Sequence, residues 1–135
     1  MGSTTTSEKH LELLQGVINR LSNNSFLLKG WSVTLVAGLM SLAAKGTERR
    51  FAIVAYLPIV AFWLLDAYYL RQERLFRALY DAVSAQGNTV PAFTMDTSLV
   101  SGSVTGWLRT CLAPVLLSLY GALLFVTILG GRLLP

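Results

Sequence analysis

The chain has 135 residues, of which 53% are hydrophobic and 13% are charged, and its mean hydropathy is +0.56. Soluble domains carry about a quarter charged residues, so this composition excludes an ordinary soluble globular protein and predicts a membrane protein. The formal net charge of +4 permits binding to anionic lipid or nucleic acid but selects neither.

The N-terminal part of the chain is predicted to lie outside the membrane. We expect residues 1–6 to be disordered and residues 7–24 to form an amphipathic cytoplasmic helix, because apolar residues recur there at spacings of three and four. The stripe comprises Leu11, Leu14, Ile18 and Leu21. Such a stripe can pack on one neighbour or on another, so we expect it to gate any channel that the protein forms.

Three apolar runs approach the roughly 20 residues that cross a bilayer core. They cover residues 25–44, 51–70 and 110–129, and the third helix is expected over residues 107–130. The link between the first two runs is short, which favours an antiparallel hairpin. The predicted fold class is an all-α membrane protein with three transmembrane helices, the first two in a hairpin that amphipathic helices extend into the cytoplasm.

The second run is predicted to continue as a helix beyond the membrane. An apolar stripe with arginines between its members follows it, so we expect one helix over residues 51–85, kinked at Pro58. Residues 86–104 are rich in Gly, Pro, Ser and Thr and are predicted to form a loop. The distribution of Lys and Arg favours an N-terminus in the cytoplasm.

Asp66 lies near the end of the second apolar run, where an unpaired carboxylate would cost several kcal/mol. In an antiparallel hairpin, Lys29 falls at the same depth as Asp66, so the two are predicted to form an intramembrane ion pair. The same geometry places Arg20 near Glu73 as a second candidate pair. Each pair is either purely architectural or opens during gating.

Three arginines follow the second run at helical spacing, namely Arg71, Arg74 and Arg77. Each gains on the order of 1 kcal/mol beside anionic lipid. This arginine collar therefore either anchors the helix to the inner leaflet or binds an anionic ligand such as a nucleotide or nucleic acid.

Small and hydroxyl-bearing residues recur within the first and third runs. Stripes of this kind usually mark close helix contacts, but they also line pores. The candidate contact or pore stripe comprises Ser25, Ser32, Ser118 and Gly121. Both roles remain open from the sequence.

The motifs of known chemistries are not found in the sequence. The chain has one histidine and one cysteine, far apart, and it has no phosphate-binding loop or nucleophile motif. We expect no enzymatic activity, no metal, no cofactor and no small-molecule substrate. His10 is expected to be a solvated helix residue.

Two segments, SFLLKGWSVTL and FWLLDAYYLRQERLFRALYD, resemble small bacterial membrane proteins found beside antiphage defence genes. These include effectors with two to four spans that are paired with nucleotide-second-messenger synthases. The resemblance covers residues 11–83 and consists of a Lys-Gly-Trp sequence at the entry of the hairpin and Leu-Asp-x-Tyr-Tyr-Leu-Arg at its exit.

The resemblance implies a homo-oligomeric, pore-forming effector of the bacterial inner membrane that acts by depolarisation. The alternative is a non-conducting membrane anchor that recruits a soluble defence or signalling partner through its cytoplasmic hairpin. A small transporter is a weaker third hypothesis, because one chain has few spans to enclose a substrate path. The expected partners are membrane lipids, further copies of the chain, and a soluble partner or a nucleotide or nucleic-acid trigger.

Overall fold

The computed structural model describes residues 2–46, 50–85 and 90–133, and within these ranges all regular secondary structure is helical. The α-helices are α1 (Gly2–Ala44), α2 (Arg50–Val54), α3 (Tyr56–Ser84), α4 (Trp107–Cys111) and α5 (Pro114–Leu133), and a 3₁₀ helix covers Thr97–Ser103. The midpoint of the predicted link between the first two spans and residues 86–89 of the predicted loop lie outside the described residues.

Three stretches are long and apolar enough to cross a membrane, namely Thr4–Ala44, Arg50–Ser84 and Pro114–Leu133. An all-helical protein with three candidate membrane spans is thereby confirmed. The first two stretches, with 41 and 35 residues, are longer than the roughly 20 residues that a bilayer core requires. A part of each therefore extends beyond the hydrocarbon if these helices span a membrane without strong tilt.

The helix α1 begins at Gly2, where we had expected disorder over residues 1–6. The hydroxyls of Thr5 and Thr6 donate hydrogen bonds to the Gly2 carbonyl at 3.2 and 2.8 Å, a local pattern that a helical backbone accommodates. Residue 1 lies outside the described residues. From Gly2 the helix continues without interruption to Ala44, so the predicted amphipathic helix and the first span are one element.

The second span is interrupted at Ala55, between α2 and α3. Pro58 explains the position, because its ring crowds the carbonyl of Val54 and it has no N–H to donate to that carbonyl. The Ala55 N–H still donates to the Phe51 carbonyl at 3.1 Å. The proline therefore causes a break of one residue near the start of the second span, and α3 then runs to Ser84.

The third span begins later than predicted, because the helix that we expect over residues 107–130 is divided into two. A short helix, α4, ends at Cys111, and α5 begins at Pro114 and continues to Leu133. Proline favours the first position of a helix and disfavours helical backbone at the residue before it. The break before Pro114 is therefore a local consequence of the sequence.

The main core lies where α1, α3 and α5 meet. The helices α1 and α3 make the most extensive contact, and α3 also contacts α4, α5 and the 3₁₀ helix. The buried core cluster consists of Val36, Ile59, Ala67, Ala113, Leu116 and Tyr120. Many large apolar side chains are exposed, such as Phe26 and Leu57, as expected for helix faces that contact lipid.

Candidate functional site

Asp66 of α3 is the centre of a buried polar cluster. Its side chain is fully buried, and the ammonium Nζ of Lys29 lies 2.7 Å from Oδ2 and 2.9 Å from Oδ1. The structure thus brings together the two residues that were predicted to pair. The Lys29 side chain keeps 24% of its surface exposed, which fits a lysine stem that extends along apolar surface toward water.

Two hydroxyl groups complete the cluster around the carboxylate. Ser25 Oγ donates to Asp66 Oδ1 and accepts a hydrogen bond of 2.7 Å from Lys29 Nζ. From the other side, the hydroxyl of Tyr120 donates to Asp66 Oδ2 at 3.1 Å. Each carboxylate oxygen therefore contacts the ammonium and accepts a hydrogen bond from one hydroxyl.

The cluster joins three long helices through one carboxylate. Ser25 and Lys29 belong to α1, Asp66 to α3 and Tyr120 to α5. A buried ion pair recovers its desolvation cost only when further hydrogen bonds satisfy the remaining lone pairs and protons. Here the two hydroxyls supply those bonds, so the arrangement is suited to holding the three helices together.

Trp63 connects this cluster to the break between α4 and α5. Its ring is stacked on Tyr120, with centroids 6.3 Å apart, and its Nε1 donates to the Cys111 carbonyl at 2.9 Å. In a continuous helix that carbonyl would accept from residue 115, but the break before Pro114 leaves it without that partner. Trp63 therefore fixes the end of α4 onto α3.

Tyr120 was not predicted from the sequence as a partner of Asp66. The available signal was a tyrosine inside an apolar run, since a buried tyrosine hydroxyl usually finds a hydrogen-bond partner. Ser25 was singled out for the contact or pore stripe, whereas the structure places it against the carboxylate.

The second candidate pair, Arg20 with Glu73, is not formed among the described residues. Glu73 Oε1 instead accepts from Arg77, at 2.9 Å from Nε and 2.8 Å from Nη2. Residues four apart on a helix are neighbours, so Arg77 reaches Glu73 without help from α1. Arg20 is exposed on α1.

The predicted contact or pore stripe does not form one surface. Ser25 and Ser32 are buried inside the chain, whereas Ser118 and Gly121 are exposed on α5. Ser32 Oγ donates to the Lys29 carbonyl at 2.8 Å. Helical spacing predicts where these residues lie along their helices. It does not predict whether each side chain faces the interior or the outside.

The three collar arginines have different surroundings. Arg77 pairs with Glu73, and Arg74 Nη1 lies 3.5 Å from Thr105 Oγ1. Arg71 Nε is buried and has no hydrogen-bond partner among the described residues. The collar is therefore only partly neutralised by the chain itself.

The predicted gating stripe on α1 faces the interior of the chain. Leu14 and Ile18 are buried, and Leu11 and Leu21 are partly buried. On α3, Leu75 and Leu79 are also buried. These two residues are apolar and lie outside the core cluster. The structure thus shows the stripe packed inside the chain. That the stripe gates a channel stays a prediction.

His10 is buried, contrary to the expectation of a solvated residue. Its Nε2 lies 2.8 Å from the Thr94 carbonyl, and its ring centroid lies 5.9 Å from that of Phe93. Because a carbonyl can only accept, Nε2 carries the hydrogen in this contact. The contact ties the segment before the 3₁₀ helix to α1, and a lone histidine gave no sign of this partner.

Comparison with models of protein families, with curated proteins and with solved structures found no match. Among residues 2–46, 50–85 and 90–133, no group of three His, Cys, Asp or Glu residues is arranged to hold a metal ion.

Proposed function

We propose that the protein is a non-conducting anchor in a bacterial inner membrane that recruits a soluble defence or signalling partner. The observation that carries this proposal is the polar cluster at Asp66. Its carboxylate accepts hydrogen bonds from Lys29, Ser25 and Tyr120 of the same chain. A group so fully engaged within one copy favours a structural junction over an ion path.

The proposed architecture is an antiparallel hairpin of α1 and α3 with its N-terminus in the cytoplasm. The Lys29–Asp66 pair lies near the inner boundary of the membrane. Residues 2–24 and 71–84 extend beyond it as amphipathic helices, which we call the cytoplasmic extension. At 1.5 Å per residue, residues 2–24 would reach about 35 Å from the membrane, far enough to present a surface to a soluble protein.

The outward faces of the spans also support an anchor. A channel formed by several copies would need polar side chains on the outward face that each copy turns toward the central pore. The outward hydroxyls of Thr34, Ser41 and Ser118 donate to carbonyls of their own helices, at 2.9, 2.8 and 3.0 Å. The rest of these faces is largely apolar, which suits contact with lipid.

A partner surface is available beside the cytoplasmic extension. Phe93 and Leu99 are 48% and 56% exposed on the segment that His10 ties to α1. Exposed apolar side chains outside a membrane favour contact with another protein. We propose that the soluble partner binds here.

The test follows the location of the neighbouring gene's product, fused to a fluorescent protein, in cells that express this chain. We expect the product to be at the membrane with the parent chain and released by Phe93→Ser with Leu99→Ser. Gln15→Ala, an exposed change on α1, is the control and should not release it. Unchanged location when the chain is deleted would refute recruitment of this partner.

A second candidate function is the homo-oligomeric pore-forming effector that depolarises the membrane. The observation in its favour is a row of small residues, Gly30, Thr34 and Gly38, on the exposed face of α1. A Cβ added at either glycine would meet nothing within 4 Å, so another helix can approach closely there. We propose a ring of about four to eight copies for this candidate, since closed rings are the usual symmetry.

The two candidates differ in assembly and in conduction. Native mass spectrometry gives the copy number, and a potential-sensitive dye reports depolarisation at matched membrane abundance, with the operon partner and phage present. A ring whose depolarisation is abolished by Gly30→Leu with Gly38→Leu, but not by the lipid-facing change Leu57→Ala, would overturn the anchor proposal. Monomers with an unchanged membrane potential would eliminate the pore.

A further inference from the structure

A groove of about 360 Å³ lies between α3 and the residues at the end of the 3₁₀ helix. Arg74, Arg77 and Asp81 line it on the α3 side, and Ser103 and Thr105 line the other side. The contact of 3.5 Å between Arg74 Nη1 and Thr105 Oγ1 is at the long limit of a hydrogen bond. Arginine has five N–H donors, so this contact leaves Arg74 able to bind an anion.

The charges along α3 favour an anion at one end of this groove. Arg77 is neutralised by Glu73, and Asp81 adds a negative charge farther along the helix. Arg71 lies one helical turn from Arg74 in the opposite direction, and its buried Nε has no partner among the described residues. A buried donor without an acceptor is unfavourable, so an acceptor near Arg71 and Arg74 would stabilise this region.

The neighbouring helix α4 carries side chains that are suited to the membrane surface. It begins two residues after Thr105, and apolar side chains are exposed on it and at its C-cap, with Trp107 38%, Leu108 74% and the C-cap Leu112 62% accessible. Tryptophan is typical of the interface between lipid and water, and exposed leucines favour hydrocarbon. The groove is therefore adjacent to residues suited to the headgroup region.

We propose that this groove binds the phosphate of an anionic phospholipid, with Arg74 as the charged donor that lines it and Arg71, one helical turn away and outside the lining, as a second positive charge. Thr105 can donate through its hydroxyl, whereas the hydroxyl of Ser103 already donates to the Val100 carbonyl at 2.7 Å. Leu108 and Leu112 would contact the acyl chains. A free phosphate offers the same headgroup chemistry, but it leaves these apolar side chains without a partner. The inference does not depend on whether the protein recruits a partner or conducts ions.

The experiment measures lipid retained by the full chain in detergent, by native mass spectrometry, with phosphatidylglycerol or phosphatidylcholine added. We expect the parent to bind phosphatidylglycerol about tenfold more tightly, since each arginine near an anionic group adds attraction. Arg71→Gln with Arg74→Gln should lose most of that preference. Arg20→Gln with Arg132→Gln also removes two positive charges, but from exposed positions on α1 and α5. This control variant should keep the preference for phosphatidylglycerol.

Several outcomes would overturn the assignment. One is equal retention of the two lipids by the parent, and another is an equal loss of preference in both double variants. Displacement of phosphatidylglycerol by excess inorganic phosphate would show that the groove takes soluble phosphate. If circular dichroism shows that the Arg71 and Arg74 double variant is misfolded, Arg74→Gln is compared with Arg20→Gln under the same two criteria.

Discussion

Tyr120 of α5 donates a hydrogen bond of 3.1 Å to Asp66 of α3, and both side chains are fully buried. The same carboxylate accepts from Lys29 and Ser25 of α1. One acidic residue thus connects the three long helices, which makes it the most informative position for mutation.

Tyr120→Phe removes only the hydroxyl that contacts Asp66. We expect a loss of about 1.5–3 kcal/mol, the usual contribution of a hydrogen bond to a charged group. Thermal unfolding in detergent, followed by circular dichroism, measures the effect as a lower Tm. Tyr68→Phe is the matched control, because Tyr68 is 50% exposed. Similar Tm values for the two variants would contradict a role for the Tyr120 hydroxyl.

Replacing either member of the Lys29–Asp66 pair leaves the other without its partner. Asp66→Asn and Lys29→Met should each destabilise the fold, by about 3–5 kcal/mol for a fully buried pair and by less for this one, because Lys29 is partly exposed. Denaturant titration in mixed micelles gives the free energies. The double variant should lose less than the sum of the single losses.

The charge swap Lys29→Asp with Asp66→Lys should recover only part of this loss. The hydroxyls of Ser25 and Tyr120 are directed at position 66, where a lysine ammonium cannot accept their hydrogens. A swapped protein as stable as the parent would mean that the hydroxyls accept from a lysine at position 66 as well as they donate to the aspartate. One no better than the worse single variant would mean that proximity of the charges is not what stabilises the site.

The apolar packing of α1 outside the core cluster is tested by Leu14→Ala with Ile18→Ala. Both side chains are buried, and removal of a buried Leu or Ile side chain costs about 2–5 kcal/mol. We expect faster hydrogen exchange over residues 7–24 and a lower Tm. Leu13→Ala is the control, since Leu13 is 52% exposed on the same helix. A Leu13 variant as damaging as the pair would contradict the inward orientation.

His10→Ala removes the contact between α1 and the Thr94 carbonyl. We expect residues 94–103 to exchange their amide hydrogens faster, while α5 remains protected, because the histidine ties only that segment to α1. Hydrogen exchange with mass spectrometry resolves the two regions. Lys9→Ala changes the exposed neighbour and should leave both unchanged. Uniformly faster exchange would indicate a global role for His10.

Asp96, the N-cap residue of the 3₁₀ helix, should make the stability of that helix depend on pH. Hydrogen bonds from Ser98, through its side chain and then its backbone N–H, lower the pKa of Asp96 below its usual value. Because the folded pKa is the lower one, the stabilisation is present above the unfolded value of about 3.9 and is lost as the pH falls through the folded pKa. The Ser98 amide should exchange faster in acid, and Asp96→Asn should remove this dependence. An unchanged acid response in Asp96→Asn would assign it to another group.

The sequence alone determined the number of candidate spans and the pairing of Lys29 with Asp66. Apolar runs are a local property, so hydropathy predicts them without knowledge of packing. The pairing followed because a link of a few residues restricts the relative depth of the two helices it joins. The arginines and the apolar stripes were likewise located along their helices by spacing alone.

Only the tertiary structure decided which side chains share the interior. Residues 85–113 are too long a connection to fix the depth of α5 against α3, so the contact of Tyr120 with Asp66 could not follow from spacing. Rotation about each helix axis, which core packing sets, buried Ser25 and exposed Ser118. His10 met Thr94 for the same reason, because the two are 84 residues apart and only folding brings them together.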